Sequence, residues 1–186
     1  MNEADGPTLP LPTGDMADLL ADRAAEGRSD DPEEGPPAAA PAVPVVRLGS
    51  WEQFGTQARE IRFDVFVDEQ SVPAELEIDC FDPVCVHALA FDASGTVLGT
   101  GRLLPDAHIG RVAVRRLARS MGVGAAIMRE LMTAAARRGD PQVELSSQLH
   151  AESFYRRLGF ERVGQPYDEV GIAHVTMKAR LRASQG

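Results

Sequence analysis

Between Ile109 and Arg138 the chain reads as a strand, a tight turn and a long helix in direct succession. Ile109-Gly-Arg-Val-Ala-Val114 is an apolar run, and Arg119-Ser-Met-Gly-Val-Gly124 follows it closely. Ile127, Met128, Leu131, Met132 and Ala135 then form one helical stripe that stops at Arg137-Arg138-Gly139. A strand feeding a turn at a helix N-terminus aims unbonded backbone amides in one direction, with the positive end of the helix dipole behind them. Such a place binds phosphate without needing cationic side chains. Gly122 and Gly124 allow a ligand to approach the backbone closely and permit positive φ.

Competing phosphate-binding patterns fail on the residues. A dinucleotide fingerprint needs a third glycine where Ile127 stands, and that outweighs Glu144, twenty residues past Gly124, where a ribose-binding acid would sit. No Gly-Lys-Ser/Thr follows, which excludes a P-loop. A plain glycine turn before a helix stays open at this level.

The remaining pattern supplies the frame. Val45–Leu48 reads as a first strand. Trp51, Phe54, Ala58, Ile61 and Val65 make an amphipathic helix capped by Ser50 and broken at Val72-Pro73. His87–Asp92 and Thr96–Leu103 flank a hairpin signal at Ala93-Ser94-Gly95. After the long helix come a strand at Gln142–Ser147, a short helix at Glu152–Leu158, and two last strands at Arg162-Val163 and His174–Lys178. This order predicts an α/β (α+β) domain with a mixed six- to seven-stranded sheet and helices on both faces.

Charge divides the chain. Residues 1–44 hold ten acids against two arginines and are rich in Pro, Ala and Gly, whereas residues 45–186 hold eighteen acids against seventeen Lys and Arg. The first segment is expected to be a disordered leader, at most with a transient helix at Asp15–Glu26, and the second the folded domain. No basic stripe marks a nucleic-acid binder. No apolar run reaches the roughly 18 residues of a membrane span. The N-terminus has no apolar signal core, so the cytoplasm is the expected compartment. Cys80, Cys85 and His87 cluster without a second pair of ligands, which argues against a metal site.

Two stretches then match one family. Arg119-x-x-Gly122-x-Gly124 between strand and helix resembles the coenzyme A motif of the GNAT acetyltransferases. Gln148-Leu-His-Ala151-Glu-Ser-Phe-Tyr155-Arg-Arg-Leu-Gly159-Phe160 is similar to the second signature of that superfamily, with Gln148 in place of the usual asparagine. Arg62-x-x-Val-Phe-Val-x-Glu-Gln70, Val72-Pro73, Glu77-Ile-Asp79 and Gly171-Ile-x-His174-Val-x-Met177 resemble its ElaA-like branch. The match runs from about residue 45 to about residue 180.

The resemblance implies a GNAT fold and acetyl-CoA as co-substrate. It places Val112, Ala113 and Val114 along the pantetheine arm. Arg119, Ser120, Met121, Gly122, Val123, Gly124 and Ala125 would lie around the pyrophosphate, with Gln148 and Ala151 nearby. It implies direct attack by an amine on the thioester, with Tyr155 protonating the leaving thiolate; a packing role for Tyr155 is the plainer alternative. Ile109–Val114 carries no carboxylate where many relatives keep a base, which leaves His150, His174, Glu144 or a water relay. The acceptor is expected to be a small-molecule or peptide amine, and a homodimer is allowed. An acidic connector (Asp68, Glu69, Glu75, Glu77, Asp79, Asp82) would attract a cationic acceptor if it borders the cleft. Alternatively it is a solvated loop, with Arg62 and Glu69 in structural ion pairs. Arg62…Val-Phe-Val is also similar to acyl-homoserine-lactone synthases, so a longer-chain acyltransferase is a second reading and a non-catalytic coenzyme A sensor a third.

Overall fold

The computed structural model describes residues 43–169 and 171–182. The expected leader and its short helix therefore lie outside the described residues, apart from Val43 and Pro44. The order is β1 (Val45–Gly49), α1 (Trp51–Arg62), α2 (Ala74–Glu77), β2 (Val86–Phe91), β3 (Val97–Leu103) and β4 (Ile109–Val114). Then follow α3 (Val123–Arg138), β5 (Gln142–Gln148), α4 (Glu152–Arg157), β6 (Glu161–Glu169) and β7 (Ile172–Arg180).

Helix α1 begins as expected. Ser50 accepts the Gln53 N–H at 3.4 Å while Gln53 Oε1 accepts the Ser50 N–H at 3.0 Å, a reciprocal cap that satisfies two end donors. The helix does not run straight to the Val72-Pro73 break. Past Arg62 it widens into a π-helical segment, Phe63–Glu69.

Among the described residues there are seven strands, and their hydrogen bonds divide them. Strands β1-β2-β3-β4 form one antiparallel sheet and β5-β7-β6 another. A single parallel bridge, His108 to Glu144, joins β4 to β5, with the Glu144 N–H donating to the Ala107 carbonyl at 3.1 Å. The expected mixed sheet thus has its parallel step at this one seam.

Helices cover both faces. Val112 and Val114 of β4 join the core under α3, whereas Ala113 between them packs on Ile61, Val65 and Phe66. Helix α3 rests almost on the backbone of β3. A Cβ at Gly101 would come within 2.8 Å of Ile127 Cγ2, and one at Gly99 within 3.0 Å of Ile127 Cδ1.

The last hairpin is longer than the apolar pattern predicts: nine residues per strand instead of two and five. Strand β6 is an exposed edge from Glu161 to Asp168, with a register shift between Val163 and Tyr167, so it lacks the alternation that advertises a half-buried strand. Among the described residues no helix is long and apolar enough to cross a membrane.

Candidate active site

The seam between β4 and β5 is closed at one end and unladdered at the other. From the His108–Glu144 bridge the two strands run on in parallel without further pairing. The β5-facing backbone of β4 therefore has no strand partner among the described residues up to Val114. A bulge contributes to this divergence. Thr100 pairs with Ala113 but Arg102 with Gly110, so two steps on β3 face three on β4, and Arg111 takes φ +52°.

Beyond Val114 the chain makes a 3-10 turn, Arg116–Ala118, and enters α3 through Ser120 at φ +63° and Gly122 at φ +78°. The left-handed Gly122 is the N-cap, and the first helical bond is the Ala126 N–H to the Gly122 carbonyl at 3.0 Å. The amides of Val123, Gly124 and Ala125 precede that bond and point out of the helix end. They border a cavity of about 280 Å³ that is also lined by Ala118, Arg119, Ser120, Gly122, Arg129, Phe154, Arg157 and Leu158.

Most of the expected cradle residues meet here; Met121 does not line the cavity and is 46% exposed. The Arg119 side chain is turned to structure. Its Nε donates to the Val114 carbonyl at 3.2 Å and Nη2 to Glu69 Oε2 at 2.6 Å, tying the loop to the π-helical segment. The cations left for a ligand are Arg129 and Arg157, neither of which has a carboxylate partner among the described residues. Sequence reasoning overlooked both. Helical spacing carried the signal: Gly122, Ala125 and Arg129 share one face of α3, and Phe154, Arg157 and Leu158 one face of α4.

Tyr155 is fully buried among the side chains of the α3 face, edge-on to Phe154 at 5.0 Å and to Phe160 at 5.9 Å. Ala151 is in the same core. The expected base candidates lie elsewhere. His150 is exposed on the turn Leu149–Ala151. Glu144 sits at the closed end of the seam with its carboxylate 2.7 Å from Lys178 Nζ. Gln148 and His174 are direct partners across β5 and β7. They share the face opposite Val175 and Met177, whose side chains are in the core with Tyr155. Both are buried, at 1% and 2% exposure.

The acidic connector is not a cation-attracting rim over its second half. Arg62, 1% exposed, binds Glu77 in a bidentate pair and Asp82 at 2.8 Å; Arg102 binds Asp79 at 2.6 Å and Asp82 at 2.7 Å. Arg111 donates to the carbonyls of Leu76 and Glu77 at 3.3 Å and reaches Asp79 at 3.4 Å. Burial works against charge on Arg102, yet its hydrogen bond and ion pairs with Asp79 and Asp82 raise its pKa above the usual arginine value. Asp79 shows the converse: burial pushes its carboxyl up, and the Arg102 bond and charge more than reverse this. The connector's charge is thus largely consumed inside the protein.

The family described as acetyltransferase (GNAT) domain matches residues 55–181. The chain is similar to YjcF of Bacillus subtilis, named as an N-acetyltransferase, at 36% identity over 63% of this chain and 86% of that one. It is similar to ElaA of Escherichia coli at 32% identity over 63% and 82% of the two chains, and the crystal structure of ElaA superposes with a TM-score of 0.66 over 74% of this chain and 99% of that one at 25% identity. An acyl-CoA N-acyltransferase from Pseudomonas aeruginosa, 30% identical, superposes with the same TM-score over 73% of this chain and 99% of that one.

Proposed function

The chain belongs to the GNAT acetyltransferase family, in its ElaA-like branch, and is an acyltransferase; from that premise we propose that it moves an acetyl group from acetyl-CoA to a primary amine of a small molecule or peptide. The observation that carries this reading is the continuity of the unladdered seam with the cradle at the start of α3. The cradle offers three helix-end amides and two cations for a pyrophosphate. The seam offers extended backbone at Val112–Val114 against which a pantetheine arm can lie like an added strand, with an N–H for the thioester oxygen. A phosphate group at one end and an extended thioester arm at the other are what coenzyme A supplies.

Transfer then proceeds by direct attack. Tyr155, on the cofactor side of the β5–β7 sheet, is the proposed acid for the departing sulfur, its phenolic O–H being a donor. The compartment inferred is the cytoplasm. The test is a thiol-release screen of the purified protein with acetyl-CoA against amines, polyamines, aminoglycosides and peptide N-termini, beside melting curves with coenzyme A. Expected are a melting shift with coenzyme A and thiol release with at least one amine class; Gly124→Glu should weaken coenzyme A at least tenfold. Unaltered affinity in that variant would sink the cradle assignment. A melting shift with no thiol release from any amine would favour a coenzyme A-binding sensor.

A further inference from the structure

His174 carries its own protonation assignment. Its Nδ1 lies 2.9 Å from the Ile172 carbonyl, which can only accept, so Nδ1 holds the hydrogen and Nε2 the lone pair. That Nε2 is buried with no hydrogen-bond partner among the described residues, and the ring is stacked against Tyr167 at 6.1 Å and 23°. Glu169 Oε2 stands 4.0 Å from Nδ1 and also accepts from the Ser146 hydroxyl at 3.5 Å; Ser146 in turn bonds the Tyr167 hydroxyl. On the other flank Gln148, paired directly with His174, has a buried amide nitrogen that likewise has no partner among the described residues. Buried polar atoms without partners are rare because each gives up its hydrogen bonds to water with nothing in return. Here a lone pair and an N–H donor belong to residues paired directly across β5 and β7, with Gln148 four residues past the closed end of the seam, roughly 13 Å along β5 at about 3.3 Å per residue.

We propose that His174 and Gln148 form the acceptor-side half of the reaction centre, His174 as the base that takes the proton from the attacking amine and Gln148 as a donor to the thioester carbonyl oxygen. The inference rests on the acetyltransferase reading and deepens it. The acceptor enters the step as a free amine. Its lone pair forms the C–N bond, and the carbonyl π pair moves onto oxygen, towards the Gln148 N–H. The proton lost by nitrogen goes to His174 Nε2, and the imidazolium so formed faces the Glu169 carboxylate. Collapse breaks the C–S bond, and the sulfur takes a proton from Tyr155. His174 and Tyr155 then exchange protons with solvent, leaving amide and free thiol. Base and acid stand on opposite faces of the β5–β7 sheet, so neither can neutralise the other before the acyl group has moved.

The test uses the full chain. With an amine that supports wild-type thiol release, His174→Gln should lower kcat by about 10²-fold or more, with coenzyme A affinity within about twofold of wild type. Imidazole in the buffer should restore part of the activity of His174→Ala, which a purely structural role would not allow. Gln148→Met should lower kcat by about 10²-fold with little change in acceptor KM. Glu169→Gln, a positioning change, should lower kcat less than His174→Gln and leave acceptor KM unmoved. Turnover of His174→Gln within threefold of wild type overturns the base assignment, and a Gln148→Met effect confined to acceptor KM overturns the carbonyl contact. Should the His174 variants not fold, long-range nitrogen–proton spectra of the wild type decide: an Nδ1–H tautomer supports the assignment and an Nε2–H tautomer overturns it. Failure of the wild type to release thiol from any amine is the separate result that removes the enzymatic reading itself.

Discussion

Single residues here divide into those spent on structure and those left for chemistry. Tyr155→Phe separates the two roles for that ring. The substitution keeps the edge contacts with Phe154 and Phe160 and removes only the hydroxyl. It should slow turnover by about 10²-fold while coenzyme A affinity holds within twofold; unchanged turnover would make Tyr155 a packing residue alone. Residue chemistry also sets the response to acid. Burial holds His87 and His108 below the ordinary histidine value, His87 while its Nε2–H donates to the Asp82 carbonyl at 2.8 Å. The unfolded chain therefore takes up protons near pH 6.5 that the folded chain refuses, and stability falls as pH drops below that value. Asp79, held low by Arg102 despite burial, adds a second loss as pH falls through the carboxylate range below about 4. Urea midpoints should thus decline in two stages from pH 8 to pH 3, and a flat midpoint between pH 7 and pH 5 would contradict the first. The buried arginines and acids of the connector could not be paired from sequence. Arg62 lies fifteen residues from Glu77 and twenty from Asp82, and nothing local to the connector says that its acids turn inward.

Elements were legible where their signals are local. The cap at Ser50, the stripe of α3 and the glycine stop at Gly139 all follow from neighbours within four residues, and all three stand in the structure. The π-helical segment and the reach of β6 were not legible, because the first preserves an apolar helical pattern and the second is exposed on both faces. The two glycines of β3 are a middle case. Their composition is plain in the sequence, but their purpose, to let α3 lie on the strand, depends on the helix that crosses them. Gly101→Val would drive a side chain into Ile127, Leu131 and Val112, and should cost about 1–3 kcal/mol in chemical denaturation. Coupling Ile127→Ala to it should recover part of that loss. Unaltered stability in the single variant would mean that the helix shifts without resistance.

At the scale of the whole molecule, the two half-sheets meet at one bridge, and the proposed reaction centre lies where they part. The second family signature pointed to the cofactor side of this seam, whereas the pairing of Gln148 with His174 emerges only from the register of β5 and β7. We propose from sequence composition that the acid-rich segment before Val45 is not part of the domain; β1 pairs with β2 from Val45 onward. Deleting residues 1–44 should therefore leave the coenzyme A-dependent melting shift in place, and a collapse of the melting temperature would make that segment part of the domain. The seam itself has an evolutionary consequence. A donor gripped by main chain is gripped by something every sequence possesses. On the proposed reading, substitutions along β4 would leave that grip standing while the bulge and the bridge survive, and residues of the far face other than Gln148 and His174 could be rewritten. Descent can thus diversify acceptors around an inherited donor site without ever reinventing it.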